Sequence, residues 1–200
     1  MQAHPDTMYL ELSAALLGTS MDAAFTEAEV ARLEQIVPKG DLQLPMPQLY
    51  EAFKSALTVV DPPEAWEVAF QATFGPYPPF AIEVLNARSK ATVSSASREV
   101  KQRLGAVLTT LGRKLLKRSS LIDLQIGRLF LRLGIELTGD AGIRAEADAA
   151  KREFEEMYRR ASVFKFVGGW PIAPLTRQLD DRIIRNELGL LRAVSAYHDG

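Results

Sequence analysis

Residues 98–137, REVKQRLGAVLTTLGRKLLKRSSLIDLQIGRLFLRLGIEL, carry the two patterns that decide the predicted fold. In the first half, apolar residues recur at steps of three and four, as on one face of an amphipathic helix. These residues are Val100, Leu104, Val107, Leu108, Leu111 and Leu115. The pattern predicts a helix that begins after a serine cap, at Ser94, Ser95 or Ser97, and ends before residues 119–120.

The second half of this stretch changes to a period of two. Apolar residues occupy every second position on either side of Gly127: Ile122, Leu124, Ile126, Leu129, Leu131, Leu133, Ile135 and Leu137. Strict alternation is typical of a half-buried strand, and Gly127-Arg128 would be the turn between two strands. The second half therefore predicts a β-hairpin that ends at Thr138.

Helices are predicted on both sides of this segment. Thr26 and Glu29 have the spacing of a capping box, which predicts a helix that stops at Pro38. Further helices are predicted at 45–60, 62–74, 143–160 and 174–197, a turn at 92–97 and a short strand at 164–167. The run at 75–79, GPYPP, is the clearest boundary in the chain.

The expected fold class is thus α+β, and mostly α. We expect an acidic helical region at 1–75, a helix-plus-hairpin module followed by a charged helix at 79–170, and a C-terminal helix at 171–200. The start of the chain shows no signal peptide, and every apolar stretch is far shorter than the roughly 20 residues of a membrane-spanning helix. A cytoplasmic protein without a membrane partner is expected.

The residue composition argues against a catalytic or metal site. Cysteine is absent, which excludes disulfides, thiol nucleophiles and cysteine-bound metals and fits a reducing compartment. The two histidines, His4 and His198, lie near opposite ends of the chain. Residues 26–58 have the helix–loop–helix outline of a calcium-binding EF-hand. Their loop at 35–41 contains a single carboxylate, however, whereas calcium needs six or more oxygen ligands. We therefore expect a protein that is not an enzyme and has neither cofactor nor metal.

Residues 105–114, GAVLTTLGRK, superficially match a phosphate-binding loop. Six residues separate Gly105 from Gly112, where the motif has four, and the run lies on an amphipathic helix instead of between a strand and a helix. Two glycines a heptad apart instead predict the close approach of another helix.

Charge is strongly segregated along the chain, although the formal net charge is only −1. Residues 1–87 carry three basic and twelve acidic side chains, residues 88–132 carry eleven basic and two acidic, and residues 133–200 carry ten and eleven. Such a basic segment is expected to meet an acidic partner. That partner can be another macromolecule or the acidic first part of the same chain.

Six basic residues form the candidate binding face: Arg113, Lys114, Lys117, Arg118, Arg128 and Arg132. They can bind phosphates, with an affinity that falls steeply in salt. They can also bind an acidic protein surface, with faster association at low salt. The third interpretation is neutralisation by residues 1–87. Because few aromatic residues interleave this set, stacking on single-stranded nucleic acid is not expected.

Residues 79–137 resemble the fold of bacterial HU and integration host factor, in which a helical hairpin runs into a β-hairpin. The matching sequence, from Phe80 onward, is FAIEVLNARSKATVSSASREVKQRLGAVLTTLGRKLLKRSSLIDLQIGRLFLRLGIEL. The resemblance is carried by the apolar helix face, by the alternating residues 122–126, and by the junction Ile126-Gly127-Arg128-Leu129. At that junction the family has an apolar residue, a glycine, a small or polar residue and an aromatic residue.

The resemblance implies one of two functions. Bacterial members wedge long, basic, proline-tipped arms into the DNA minor groove, but here the predicted strand ends at Leu137, meets Asp140 and has no such arm. An arm-less eukaryotic version, found in coiled-coil proteins of cilia and centrosomes, is a protein-binding module. It implies a structural or adaptor protein of the cilium, flagellum or microtubule cytoskeleton, with the acidic tails of tubulin as a partner of the basic segment. The alternative is a nucleoid-type DNA-binding protein that uses residues 88–132.

Overall fold

The computed structural model describes residues 8–40, 46–57, 80–118, 120–161, 182 and 185–193. Seven helices are formed there: α1 (Met8–Leu16), α2 (Glu27–Ile36), α3 (Met46–Leu57), α4 (Phe80–Ser95), α5 (Arg98–Leu116), α6 (Leu121–Thr138) and α7 (Ala141–Ala161). Residues 185–193 are also helical. The predictions for residues 62–79 and 164–167 lie outside the described residues.

The α+β prediction is wrong, because the expected β-hairpin is a single helix. α6 runs from Leu121 to Thr138, and none of the described residues forms a strand. The predicted turn at 92–97 is also displaced, since α4 continues to Ser95. The alternating residues around Gly127 carried the hairpin and part of the resemblance to HU, and they lie on α6. The resemblance itself stays a prediction.

The physical reason is that α6 is buried on two sides. One side presents residues spaced by three and four, namely Leu124, Gly127, Leu131 and Gly134. A second side presents Ile126, Phe130, Leu133 and Leu137 at the same spacing, and all eight residues are buried. A helix covered on two sides needs apolar residues at about every second position, so the alternation alone does not separate it from a strand.

The prediction for α5 is confirmed. Ser97 caps the helix, and its hydroxyl accepts a hydrogen bond from the backbone N–H of Val100 at 3.3 Å. The apolar face is buried as expected, and Leu104, Leu108, Leu111 and Leu115 are fully inaccessible. The helix ends at Leu116, which agrees with the prediction that it ends before residues 119–120.

α5 and α6 pack antiparallel, with glycines at their contact. A Cβ atom on Gly112 would lie 2.9 Å from the carbonyl oxygen of Gly127, and a Cβ on Gly127 would lie 3.0 Å from that of Gly112. A heptad away, a Cβ on Gly105 or on Gly134 would lie 3.3 Å from the other's carbonyl oxygen. The predicted close approach at Gly105 and Gly112 is therefore confirmed, and the partner is α6.

A repeated heptapeptide makes this packing reciprocal. The pattern RLGxxLT occurs at residues 103–109 on α5 and again at 132–138 on α6. Thr109 occupies the space that a side chain on Gly134 would need, and Thr138 occupies the corresponding space at Gly105. Each threonine hydroxyl donates to the carbonyl of the glycine four residues earlier, at 2.8 Å in both helices. The same short sequence thus supplies both sides of the contact.

The described residues divide into two compact units. The first contains α1, α2, α4, α5, most of α6 and α7 as far as Arg152. Its core is apolar and includes Met8, Leu12, Leu16, Val30, Leu33, Leu85, Leu108 and Phe130. The second contains α3, the rest of α7 and residues 185–193, with Tyr50, Leu188 and Leu191 buried. The predicted helix at 45–60 is confirmed as α3.

Candidate functional site

Two of the six predicted binding residues form ion pairs with carboxylates. Arg113, exposed on α5, donates from Nε and Nη2 to the two carboxylate oxygens of Glu146 on α7, at 2.8 and 2.7 Å. This two-point contact lowers the pKa of Glu146 and raises that of Arg113. The Nε atom of Arg132 lies 3.6 Å from Oε1 of Glu136, one turn further along α6. Both cations have an acidic neighbour within the first unit.

Lys114 is anchored to the end of α2. Its Nζ donates to the carbonyl oxygens of Val37 at 2.7 Å and Pro38 at 3.4 Å, and also to that of Gly40. The last carbonyls of a helix lack intrahelical partners and carry partial negative charge. α2 has no basic residue in its own last turn, so Lys114 supplies the missing cation from α5.

The middle of α2 is held by Arg103, also on α5. Its Nε and Nη2 donate to the carboxylate of Glu34 at 3.0 and 2.7 Å, and Nη1 lies 3.3 Å from Glu27. These contacts lower the pKa of Glu34 and raise that of Arg103. The outer face of α5, which carries the predicted binding residues Arg113 and Lys114, therefore attaches to the α2 region through Arg103 and Lys114 and to α7 through Arg113.

The start of α2 is clamped by Arg88 of α4, whose side chain is only 3% exposed. Its Nη1 and Nη2 each lie 2.8 Å from a carboxylate oxygen of Glu29, and Nε and Nη2 donate to the carbonyls of Ala23 and Ala24 at 3.0 and 3.1 Å. The guanidinium also stacks on the ring of Phe25 at 4.2 Å. Each of the three guanidinium nitrogens of this buried cation therefore donates at least one hydrogen bond.

The clamp includes the predicted capping box, which is confirmed. Glu29 accepts from the backbone N–H of Thr26 at 2.8 Å, and the Thr26 hydroxyl accepts from the backbone N–H of Glu29 at 3.3 Å. Hydrogen bonds from Arg88, and then from Thr26, lower the pKa of Glu29 to about 2. Thr92, one turn after Arg88, accepts from the N–H of Phe25 at 2.9 Å.

A smaller group of cations in the basic segment is exposed or half-buried and has no acidic partner among the described residues. Arg118 and Arg128 already have interaction partners. In contrast, Lys90, Arg98 and Lys117 are exposed, Lys101 is half-buried, and none of the four pairs through its side chain with a described residue. Only Lys117 belonged to the predicted set. The other three flank the turn between α4 and α5, and we call Lys90, Arg98 and Lys101 the turn cluster.

Sequence reasoning missed the turn cluster because it chose the basic residues nearest the predicted hairpin. A signal was present at the start of α5. Arg98 and Lys101 stand in or next to its first helical turn, where basic residues are disfavoured by the helix dipole. Arg88 was missed for another reason, since no local pattern distinguishes a buried arginine from an exposed one on α4.

A second surface feature lies between α1 and α2. It is a half-open groove of about 230 Å³. Its lining consists of Ala15, Leu16, Phe25, Ala28, Glu29, Arg32 and Leu33. Five of these residues are apolar, and the two charged ones, Glu29 and Arg32, both belong to α2. The groove has no counterpart among the sequence predictions.

Comparison of the chain with models of protein families, with curated proteins and with solved structures finds no match. Among the described residues, no three histidine or acidic side chains are grouped so that they could hold a metal ion. The helices of that same part of the chain are too short or too polar to cross a bilayer. The function is therefore inferred from the surface geometry of the described residues.

Proposed function

We propose that this chain is a non-enzymatic structural or adaptor protein that binds an acidic protein surface through the turn cluster. The observation that carries the proposal is the contrast within residues 88–132. Arg88, Arg103 and Lys114 each have defined partners on or beside α2, whereas the three cations of the turn cluster have none among the described residues. Together with Lys117, they are the cations of the basic segment that no described residue pairs with.

The position of the turn cluster supports a binding role. Lys90 lies in the second half of α4, and Arg98 and Lys101 lie at the start of α5, so the three are within twelve residues of one another. Cations at a helix N-terminus oppose the dipole and cost up to about 1 kcal/mol each. Glu99 is the one acidic residue of that turn. Because Arg98 and Lys101 do not stabilise α5, a role in binding accounts for them better than a role in folding.

The number of free cations favours a protein partner over duplex DNA. A protein whose affinity for duplex DNA falls steeply with salt makes roughly 6–10 contacts with phosphates. Here the turn cluster and Lys117 together give four free cations in the basic segment, and Lys117 lies at the opposite end of α5. A small cluster suits a short acidic segment of a protein. The proposed ciliary or cytoskeletal location comes from the resemblance, which makes the acidic tail of tubulin the first partner to test.

Fluorescence anisotropy with a labelled tubulin-tail peptide, a polyglutamate peptide and a duplex DNA tests the proposal. The test variant is Lys90→Glu/Arg98→Glu. The matched control is Arg144→Glu/Arg152→Glu, which reverses two exposed cations of α7 and changes the net charge equally. We expect the test variant to weaken binding of the acidic peptides at least tenfold at 50 mM salt, and the control to weaken it less than threefold.

Each other outcome overturns the proposal. Equal loss in both double variants would show that only net charge matters. An unmodified chain that does not bind either acidic peptide would remove the acidic protein partner. Tighter binding of duplex DNA than of the peptides, abolished by the same test variant and falling steeply with salt, would establish the nucleic-acid alternative.

A further inference from the structure

The groove between α1 and α2 has the size of a site for one protein side chain. Small-molecule sites usually enclose about 300–1,000 Å³, so a groove of about 230 Å³ is small for a cofactor. A buried cavity of about 150 Å³ already holds benzene. The groove therefore has room for a ring or a branched aliphatic group. Its accessible apolar lining is formed by Ala15 and Ala28, because Leu16, Phe25 and Leu33 are only 1–3% exposed.

Of the two charged residues that line the groove, only Arg32 has a charge that no described residue pairs with. The Glu29 carboxylate, also at the groove, is occupied by hydrogen bonds from Arg88 and Thr26. Arg32 is exposed and forms no ion pair or hydrogen bond through its side chain within the part of the chain that the structure describes. Ala28 lies one turn before Arg32 on α2, so the apolar surface and the free cation are one helical turn apart. An occupant needs an apolar group and a carboxylate at that same separation.

We propose that this groove binds an amphipathic acidic helix of a partner protein, which inserts one Leu, Met or Phe side chain and pairs an Asp or Glu with Arg32. A helix presents such residues three or four positions apart on one face. Insertion of apolar anchors from a helix into a groove is a recurring mode of peptide recognition. The groove goes beyond the turn cluster, because it selects an apolar anchor that a purely acidic peptide lacks.

The groove can be altered without touching the core. Ala28 is exposed, so Ala28→Leu adds volume at the lining while the helix keeps a favourable residue. Arg32→Glu reverses the free charge, and Arg32→Lys keeps it. Ala106→Leu places the same substitution on an exposed position of α5 and serves as the matched control. Circular dichroism and melting temperature verify that each variant is folded.

Binding is measured by anisotropy with three synthetic helical peptides. The first carries Leu and Glu four residues apart on one face, the second has Ala for Leu, and the third has Lys for Glu. We expect the full-length chain to bind the first peptide at least tenfold more tightly than the other two. Ala28→Leu and Arg32→Glu should each weaken that binding fivefold or more, whereas Arg32→Lys and Ala106→Leu should change it less than twofold.

The groove proposal fails if the full-length chain does not prefer the first peptide, or if Ala28→Leu and Ala106→Leu bind it equally. Its failure is distinguishable from that of the proposed function. Lys90→Glu/Arg98→Glu should weaken polyglutamate binding at least tenfold and should leave the preference for Leu over Ala unchanged. Loss of that preference in the double variant would show that the groove is not the site of the apolar anchor.

Discussion

Replacement of Gly112 by alanine tests whether α5 and α6 depend on their glycines to approach each other. The added Cβ would lie 2.9 Å from the carbonyl oxygen of Gly127 and 3.0 Å from Cγ of Leu131. Overpacking of this kind costs about 1–3 kcal/mol, and the upper half of that range is expected because one neighbour is backbone. Alanine gains about 1 kcal/mol in helix propensity. The net free energy of unfolding should therefore fall by about 1–2 kcal/mol.

The assay is thermal and urea unfolding of the purified chain. For a protein of 200 residues, about 1 kcal/mol corresponds to a shift of about 2–4 °C, so the melting temperature should fall by about 2–8 °C. Ala106→Gly, at an exposed position of α5, calibrates helix propensity alone and should cost about 1 kcal/mol.

A double-mutant cycle with Gly127→Ala sharpens this test. A Cβ on Gly127 would lie 3.0 Å from the carbonyl oxygen of Gly112, so both substitutions push the same two helices apart. Once one substitution has separated the helices, the second costs less. The double variant should therefore lose less free energy of unfolding than the sum of the losses in the two single variants. The reasoning is refuted if Gly112→Ala raises the melting temperature while Ala106→Gly lowers it, because helix propensity would then govern both positions.

Further predictions concern the polar clamp at the start of α2. Glu29→Gln should lower the free energy of unfolding by about 2–3 kcal/mol, because it leaves the buried Arg88 without its anion; a loss below about 0.5 kcal/mol in urea unfolding would contradict this. Since the pKa of Glu29 is lowered to about 2 from an ordinary value near 4.5, the unfolded chain binds the proton first, and stability from this pair should be lost as the pH falls from about 4.5 toward 2. The urea midpoint should decline over that window more steeply in the unmodified chain than in Glu29→Gln, and equal slopes would assign the decline to other carboxylates. Ser89→Ala should be neutral or stabilising by up to about 1 kcal/mol, since the Ser89 hydroxyl is buried and has no hydrogen-bond partner among the described residues. Thr92→Val should cost about 1–3 kcal/mol, because it strands the buried N–H of Phe25; a reversed order of these two variants in thermal melts would contradict the hydrogen-bond assignment.

The sequence allowed α5 to be predicted correctly and α6 to be mistaken for two strands. α5 has a polar outer face, so its apolar residues leave an unambiguous helical period. α6 is covered on two sides, so its apolar residues occupy nearly every second position and imitate a strand. The discriminating signal was the spacing of Gly127 and Gly134, which equals that of Gly105 and Gly112. Matched heptads of glycine indicate two helices in close contact, whereas a glycine turn needs no second glycine seven residues later.

The candidate site could be predicted only in part, because side-chain partners depend on tertiary contacts. The basic segment and its acidic counterpart are visible in the sequence. Nothing local shows that Arg88 pairs with Glu29, 59 residues away, or that Arg103 pairs with Glu34, 69 residues away. Arg113 and Lys114 were therefore chosen as binding residues although both attach α5 to neighbouring elements. Lys117, the residue that follows α5, is the predicted residue whose side chain pairs with no described residue.

The segregation of charge along the chain has a structural explanation in α2. Arg88 binds its first turn, Arg103 its middle and Lys114 its last carbonyls. Two helices from the basic segment thus hold one helix from the acidic region at three successive positions, and each contact uses the group that α2 presents there. The cations that contact α2 stabilise the fold, whereas the turn cluster forms no contact with an acidic side chain of α2. The same segregation therefore leaves a surplus of positive charge at one end of α5, and a partner with an acidic surface would neutralise that surplus as the α2 region neutralises Arg88, Arg103 and Lys114.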